Sequence, residues 1–132
     1  MASKIQFDLV SPERLLLSEE VEMVTLPGTE GDFGVLPGHA PVIATLKTGL
    51  IEVKGGSEPL LRLFVRGGFA EVNADKVTVL AEEAIPLADF DTAALDQRIR
   101  NTEEDLGLAK SDAERARIAQ TLDGLNRLRA HV

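Results

Sequence analysis

The spacing of apolar residues changes once along the chain, near residue 88. Before that point the period is two. Ile5, Phe7 and Leu9 alternate with Lys4, Gln6 and Asp8, and Leu61, Leu63 and Val65 alternate with Arg62, Phe64 and Arg66. Val77 and Val79 alternate with Thr78 and Leu80, a stretch that reads as buried on both faces. Period two places successive side chains on opposite faces of a strand. Turn signals separate these runs: Ser11-Pro12, Pro27-Gly28, Pro37-Gly38, Gly55-Gly56-Ser57, Gly67-Gly68 and Asn73-Ala74-Asp75. Short strands between closely spaced turns predict an antiparallel β-sandwich or barrel over residues 1–87.

From residue 88 to 132 the period is helical. Leu95, Ile99, Thr102 and Leu106 recur at three- and four-residue steps, with Asp89 or Asp91 placed to cap the helix. The stretch "GLAKSD" (107–112) breaks it, and Ser111 or Asp112 can cap a second helix with the stripe Ile118, Leu122, Leu125 and Leu128. Two helices joined by so short a loop pair antiparallel. Both stripes are narrow, so the helices are expected to bury them mainly against each other and to form the less stable half. The fold class is therefore β + α, an N-terminal antiparallel β-sandwich followed by a two-helix hairpin.

Composition narrows the function. The chain has 132 residues, no cysteine, five Phe, and neither Trp nor Tyr, with a net charge of −8. Disulfides and thiolate chemistry are excluded. Few aromatics and an acidic balance disfavour nucleic acid and anionic membrane surfaces. No apolar run approaches the roughly 18 residues of a membrane span, and the early alternation of "MASKIQFDLV" is unlike a signal peptide. The charge is unevenly spread. Residues 1–88 carry 13 acids and 7 bases, whereas residues 107–132 carry 3 acids and 5 bases. The last helix, with Arg115, Arg117, Arg127 and Arg129, is a basic element on an acidic protein. It reads either as a solvated face with local pairs such as Asp123–Arg127, or as a surface for an acidic partner.

No catalytic constellation assembles. His39 and His131 lack partners at metal-ligand spacing, and His39 has no neighbouring serine. "GTEGDFG" (28–34) is neither a P-loop nor a dinucleotide fingerprint, and Glu30 and Asp32 oppose an anion. Glu19-Glu20 and Glu82-Glu83 are adjacent in strands, face opposite ways, and read as solvated strand edges. The densest segment is "EGDFGVLPGHAP" (30–41). Its glycines suit tight turns and Pro37 and Pro41 stiffen it. Phe33, Val35 and Leu36 offer apolar contact, and Glu30, Asp32 and His39 offer polar contact. By composition it is either a docking surface or a purely structural loop.

The segments "MVTLPGTEGDFGVLPGHAPVIATLKTGLIEV" (23–53), "FVRGGFAEV" (64–72) and "VTVLAEEA" (77–84) resemble the epsilon subunit of F-type ATP synthases. The resemblance covers the whole chain. It implies a non-catalytic subunit of the rotating central stalk that helps couple proton flow to ATP synthesis. The implied partners are the gamma subunit and the polar loops of the membrane rotor ring, the c-ring. Glu30, Asp32, Phe33 and His39 are the implied contacts, with Asp32 at the ring and His39 near gamma. The resemblance also implies a monomer when isolated, with no membrane insertion of its own. It further implies a location at the cytoplasmic face of a bacterial inner membrane, or alternatively a chloroplast thylakoid.

In this family the hairpin can extend into the catalytic alpha/beta hexamer and inhibit hydrolysis. Arg115, Arg117, Arg127 and Arg129 are the candidate inhibitory face. In some members ATP holds the hairpin folded, through an I-D-x-x-R-A motif in the first helix and two arginines four residues apart in the second. Here "FDTAA" (90–94) keeps Asp91 but has Ala94 in place of arginine. Arg127 matches, but Asp123 stands four residues earlier, where the other arginine is expected, with Gly124 beside it. Charged hydrogen bonds are worth about 1.5–3 kcal/mol each, so losing two weakens ATP binding by about a hundredfold or more. The expectation is no cofactor and weak or absent ATP binding. Gly124 should also cost the second helix about 1 kcal/mol relative to alanine. An ATP-sensing inhibitor is the alternative reading, and a free-standing ligand-binding sandwich is a third.

Overall fold

A computed structural model describes residues 4–132; the first three residues of the 1–87 segment lie outside the described residues. Eight strands come first: β1 (Ile5–Val10), β2 (Leu15–Val21), β3 (Met23–Gly28), β4 (Gly31–Val35), β5 (Val42–Thr45), β6 (Gly49–Lys54), β7 (Leu60–Val72) and β8 (Lys76–Pro86). A single 3-10 turn at Leu87–Asp89 leads to α1 (Thr92–Gly107) and α2 (Asp112–Arg129). Asp91 caps α1 by accepting from the Ala93 amide, and Ser111 caps α2 by accepting from Glu114.

The strands pair in the order β2-β1-β8-β7-β6-β3-β4, with β5 also on β7. Strand β7 is shared by the two layers. Its first half pairs with β6 through Leu60–Val65, and its second half pairs with β5 through Phe69–Val72. The switch falls at Gly67 and Gly68, which have φ of +65° and +118°. An added Cβ on Gly68 would overlap the Leu80 carbonyl oxygen, so only glycine allows β7 to turn the corner there. One pair departs from the antiparallel expectation: β1 runs parallel to β8. Parallel neighbours need a long crossover, and the intervening sandwich supplies it.

The core lies between the layers. Ile5, Phe7, Leu9, Val21, Val77 and Val79 come from one, and Val24, Leu26, Val35, Ile51, Val53 and Val65 from the other. Thr78 and Leu80 are only half-buried, so β8 is not buried on both faces there.

Two expectations about the helices change. Alternation places Phe64 among arginines on an outer face, yet Phe64 is fully buried. It is covered by Leu95, Leu125 and Leu128, with Leu50, Ile85, Phe90 and Ile99 around them. The hairpin thus buries its stripes on the outer face of β6–β7–β8 as well as within itself. The sequence places a stripe on a helix but does not say which sheet receives it.

Candidate docking surface

The segment 30–41 is built from two tight turns. Strands β3 and β4 form a hairpin with Gly28 opposite Gly31, so Thr29 and Glu30 are its tip. Gly31 has φ of +133° and Gly38 of +88°, conformations that suit glycine. The second turn is tied down by the Gly38 amide donating to Ala74 and the His39 amide donating to Leu36.

The structure divides the four expected contact residues. Glu30, Phe33 and His39 line a cleft of about 420 Å³ together with Val42, Ile43 and Ala44 of β5. Phe33 and His39 stand with ring centroids 6.4 Å apart. His39 Nδ1 lies 2.7 Å from the Ala40 carbonyl oxygen, so that nitrogen carries the proton and donates. Asp32 projects to the other face of β4. Its carboxylate is 3.9 Å from Lys47 Nζ, in a groove shared with Asp123, Arg127 and His131. Val35 is fully buried in the core and offers no outward contact.

The register of β2-β1-β8-β7-β5 defines a larger surface that the sequence analysis missed. Leu15 pairs with Val10, Val10 with Leu80, Leu80 with Phe69, and Phe69 with Thr45. Paired residues share a face, and this face is the outer one, because the alternate residues fill the core. Leu15 is 57% exposed, Phe69 44% and neighbouring Ile43 74%. Thr45 at the end of the row and Ile43, one pair further along β5 opposite Glu71, both line the cleft, so the cleft and the apolar row are continuous. Beside the row runs a polar band, Ser18–Asp8–Thr78–Glu71. Asp8 accepts from Gln6 at 2.9 Å and Ser18 at 2.7 Å, and pairs with Lys76 at 3.2 Å. The Gln6 and Ser18 hydrogen bonds, with Lys76 adding to them, hold its carboxyl below the usual range against the opposing effect of burial. The sequence signal for this face was the outward phase of Phe69 and Ile43, apolar residues at polar-face positions.

The basic residues of α2 are mostly engaged. Arg115 pairs with Asp112 at 2.6 Å and also donates to the Ala109 carbonyl at 3.2 Å. Arg127 pairs with Asp123 at 3.1 Å, as the spacing predicted, and Arg129 pairs with Asp96 of α1 at 2.8 Å. Arg117 lines a groove with Thr102, Asp105, Lys47 and Arg66. Asp91 uses one carboxylate oxygen as the α1 cap.

Glu83 overturns the solvated-edge reading of Glu82-Glu83. It is half-buried and receives a two-point contact from Arg98 of α1, at 2.7 and 2.5 Å. The Arg98 guanidinium also stands 5.7 Å from the ring centroids of both Phe64 and Phe90. Arg98 holds the Glu83 carboxyl below its ordinary value, against the opposing effect of burial. The signal in the sequence was Arg98 one turn beyond Leu95, a charge within the buried stripe.

A coupled sandwich and hairpin with an uncovered apolar face defines a docking subunit. Residues 4–87 match the family described as "ATP synthase, Delta/Epsilon chain, beta-sandwich domain". The chain belongs to the epsilon-subunit family of F-type ATP synthases, a subunit of that complex rather than an enzyme in its own right. It is 54% identical over 129 residues to the ATP synthase epsilon chain of Parvibaculum lavamentivorans, covering 98% of each chain. It is 50% identical over 120 residues to that of Rhodospirillum rubrum, covering 91% of this chain and 90% of the other. Its fold superposes with a TM-score of 0.81 and 26% identity on a chain in the structure of Euglena gracilis mitochondrial ATP synthase. That match covers 99% of this chain and 82% of the other. Among the described residues no helix is long and apolar enough to cross a membrane.

Proposed function

We propose that this chain joins the gamma subunit to the c-ring in the central stalk, with the outer face of β2-β1-β8-β7-β5 as its main contact on gamma. The observation that carries this reading is the asymmetry of the sandwich. One outer face is covered by the hairpin, and the other leaves Leu15, Phe69 and Ile43 open. Contiguous exposed apolar surface marks interaction sites, and aromatic anchors carry much of the binding energy at interfaces. Glu30 at the tip of the β3–β4 hairpin, and Asp32 behind it, are the contacts toward the polar loops of the ring. Phe33 and His39 line the cleft that extends the gamma face. A stiff joint suits torque transmission, because less binding energy is lost to ordering it. The bacterial relatives favour the cytoplasmic face of the inner membrane over a thylakoid.

The alternative role, inhibition of hydrolysis by Arg115, Arg117, Arg127 and Arg129, requires Arg115, Arg127 and Arg129 to leave their present partners and the hairpin to leave the sandwich. ATP sensing finds little support, with Ala94 and Asp123 in place of arginines and Asp91 occupied as a cap. ATP binding is expected to be weak or absent.

The test titrates the full chain into a matching catalytic core depleted of this subunit, following co-purification and ATPase rate. Phe69→Asp and Ile43→Asp should each weaken retention at least tenfold. Glu30→Gln should leave gamma binding intact and reduce proton-coupled synthesis in the reassembled membrane complex. Full retention of both apolar-face variants would overturn the assignment of that face. A slower ATPase on adding the full chain, lost on removing residues 88–132, would favour the inhibitory role.

A further inference from the structure

The outward carboxylates of β1 and β8 find partners within the chain. Asp8 stands 3.2 Å from Lys76, and Glu82 is 3.0 Å from Arg66. Glu71 of β7 differs. It lies exposed on the same outer face, and among the described residues no ion pair reaches it. Register sets its surroundings. Glu71 is paired with Thr78 of β8 on one side and with Ile43 of β5 on the other. Phe69 lies two residues before it on β7 and shares its face. Glu71 also lines an open notch of about 550 Å³ whose walls include Pro41, Val42 and Ile43. The carboxylate thus stands among the exposed apolar side chains rather than at the rim.

A partner that covers Ile43 and Phe69 covers Glu71 as well, because cross-strand neighbours on one face are only about 4.5–5.5 Å apart. A carboxylate taken out of water without a compensating charge opposes binding strongly. The cations of the chain closest along the sheet are already engaged, Lys76 by Asp8 and Arg66 by Glu82 and Glu83. The compensating charge has to come from the partner.

We propose that Glu71 is the charge-selective contact of this face, and that gamma presents a cationic side chain to it, seated in the notch beside Ile43 and surrounded by apolar contacts. The inference rests on the docking reading of the outer face and adds the chemistry of the surface that meets it. The apolar walls of the notch suit the stem of an arginine or lysine while its charged head meets the carboxylate. An apolar surface without such a cation is refused, because it would strand Glu71. One unpaired acid among apolar side chains therefore lets the face stay open without accepting every apolar partner.

The test is titration into the catalytic core depleted of this subunit, with the dissociation constant read at low and at high salt. Glu71→Gln keeps the shape and removes the charge; it should weaken binding about tenfold or more and flatten the salt dependence. Glu58→Gln removes the same charge from the loop between β6 and β7 and should change neither. Glu71→Lys should weaken binding about a hundredfold or more by placing like charges together. Changing one arginine or lysine of gamma to glutamate should then restore it, which also shows that the variant is folded. Unchanged binding in Glu71→Gln, with binding lost in Phe69→Asp, would keep the docking face and overturn the charge contact. Unchanged binding in both would overturn the face itself and the contact with it. A Glu71→Lys defect that no gamma reversal repairs would overturn the assignment of the cation to gamma.

Discussion

Replacing Phe64 with alanine tests whether the hairpin is a separate cooperative unit. Phe64 sits on the outer face of β7, outside the main core, and is fully buried by the helices. The substitution removes the floor beneath Leu95, Leu125 and Leu128. It also removes an edge-to-face contact with Phe90 at 5.1 Å and one of the two rings under Arg98. Burial of a Phe side chain of this kind is worth about 3–5 kcal/mol on truncation to alanine. The aromatic pair accounts for about 0.5–1.5 kcal/mol of that. The inner faces of the sandwich keep every one of their core contacts, so the loss should fall on the hairpin. At about 1.4 kcal/mol per tenfold, amide protection in α1 and α2 should drop at least about a hundredfold, or to the level of an open helix. Protection in β1, β3 and the first half of β8 should change far less. Segment-resolved hydrogen exchange at pH 7 reads both at once. An equal loss in helices and strands would show that sandwich and hairpin open together, refuting the idea of a separable unit. No loss in either would refute the role of Phe64 as the floor.

Acid should release the hairpin before the sandwich. Arg98 holds the Glu83 carboxyl below its ordinary value, so its contribution is complete above the unfolded value of about 4.3. That contribution is lost as the pH falls through the lower folded value. Amide protection in α1 and α2, taken relative to β1 and corrected for intrinsic exchange, should stay constant from pH 7 to about 5.5 and fall below about 4; a fall between pH 7 and 6 would contradict this. Asp91→Ala removes the α1 cap, which accepts from Ala93 at 2.9 Å, and should cost the first turn of α1 about 1 kcal/mol. Amide exchange at Ala93 and Ala94 measures it. Gly68→Ala should damage the sandwich itself, because an alanine there meets both the positive φ and the Leu80 carbonyl. The strained φ alone costs about 1–3 kcal/mol, and urea denaturation followed on the strand signals would fall short of that only if β7 rearranged.

Much of this was legible in the chain because it is local. Alternation at Ile5–Leu9 and Val77–Val79 follows from strand geometry. Asp91 and Ser111 cap helices through their own nearby amides. The pairing of Asp123 with Arg127 needs only one helical turn. Glycines at 31, 38, 67 and 68 mark turns and a corner that the backbone itself requires. Family membership was equally accessible, because segments such as "EGDFGVLPGHAP" are contiguous. What only the tertiary structure decided is which surfaces meet. Phe64 has the phase of an exposed residue and is buried because a distant hairpin lies over it. Glu83 resembles a solvated strand residue until Arg98 arrives from α1. Asp32 and Phe33 are sequence neighbours that face different grooves. Gly124 looks like a flaw in a helix until Thr48 is brought against it, where an added Cβ would overlap the Thr48 carbonyl oxygen. Periodicity assigns each residue to a face of its own element, whereas the partner of that face depends on contacts between residues far apart in the chain.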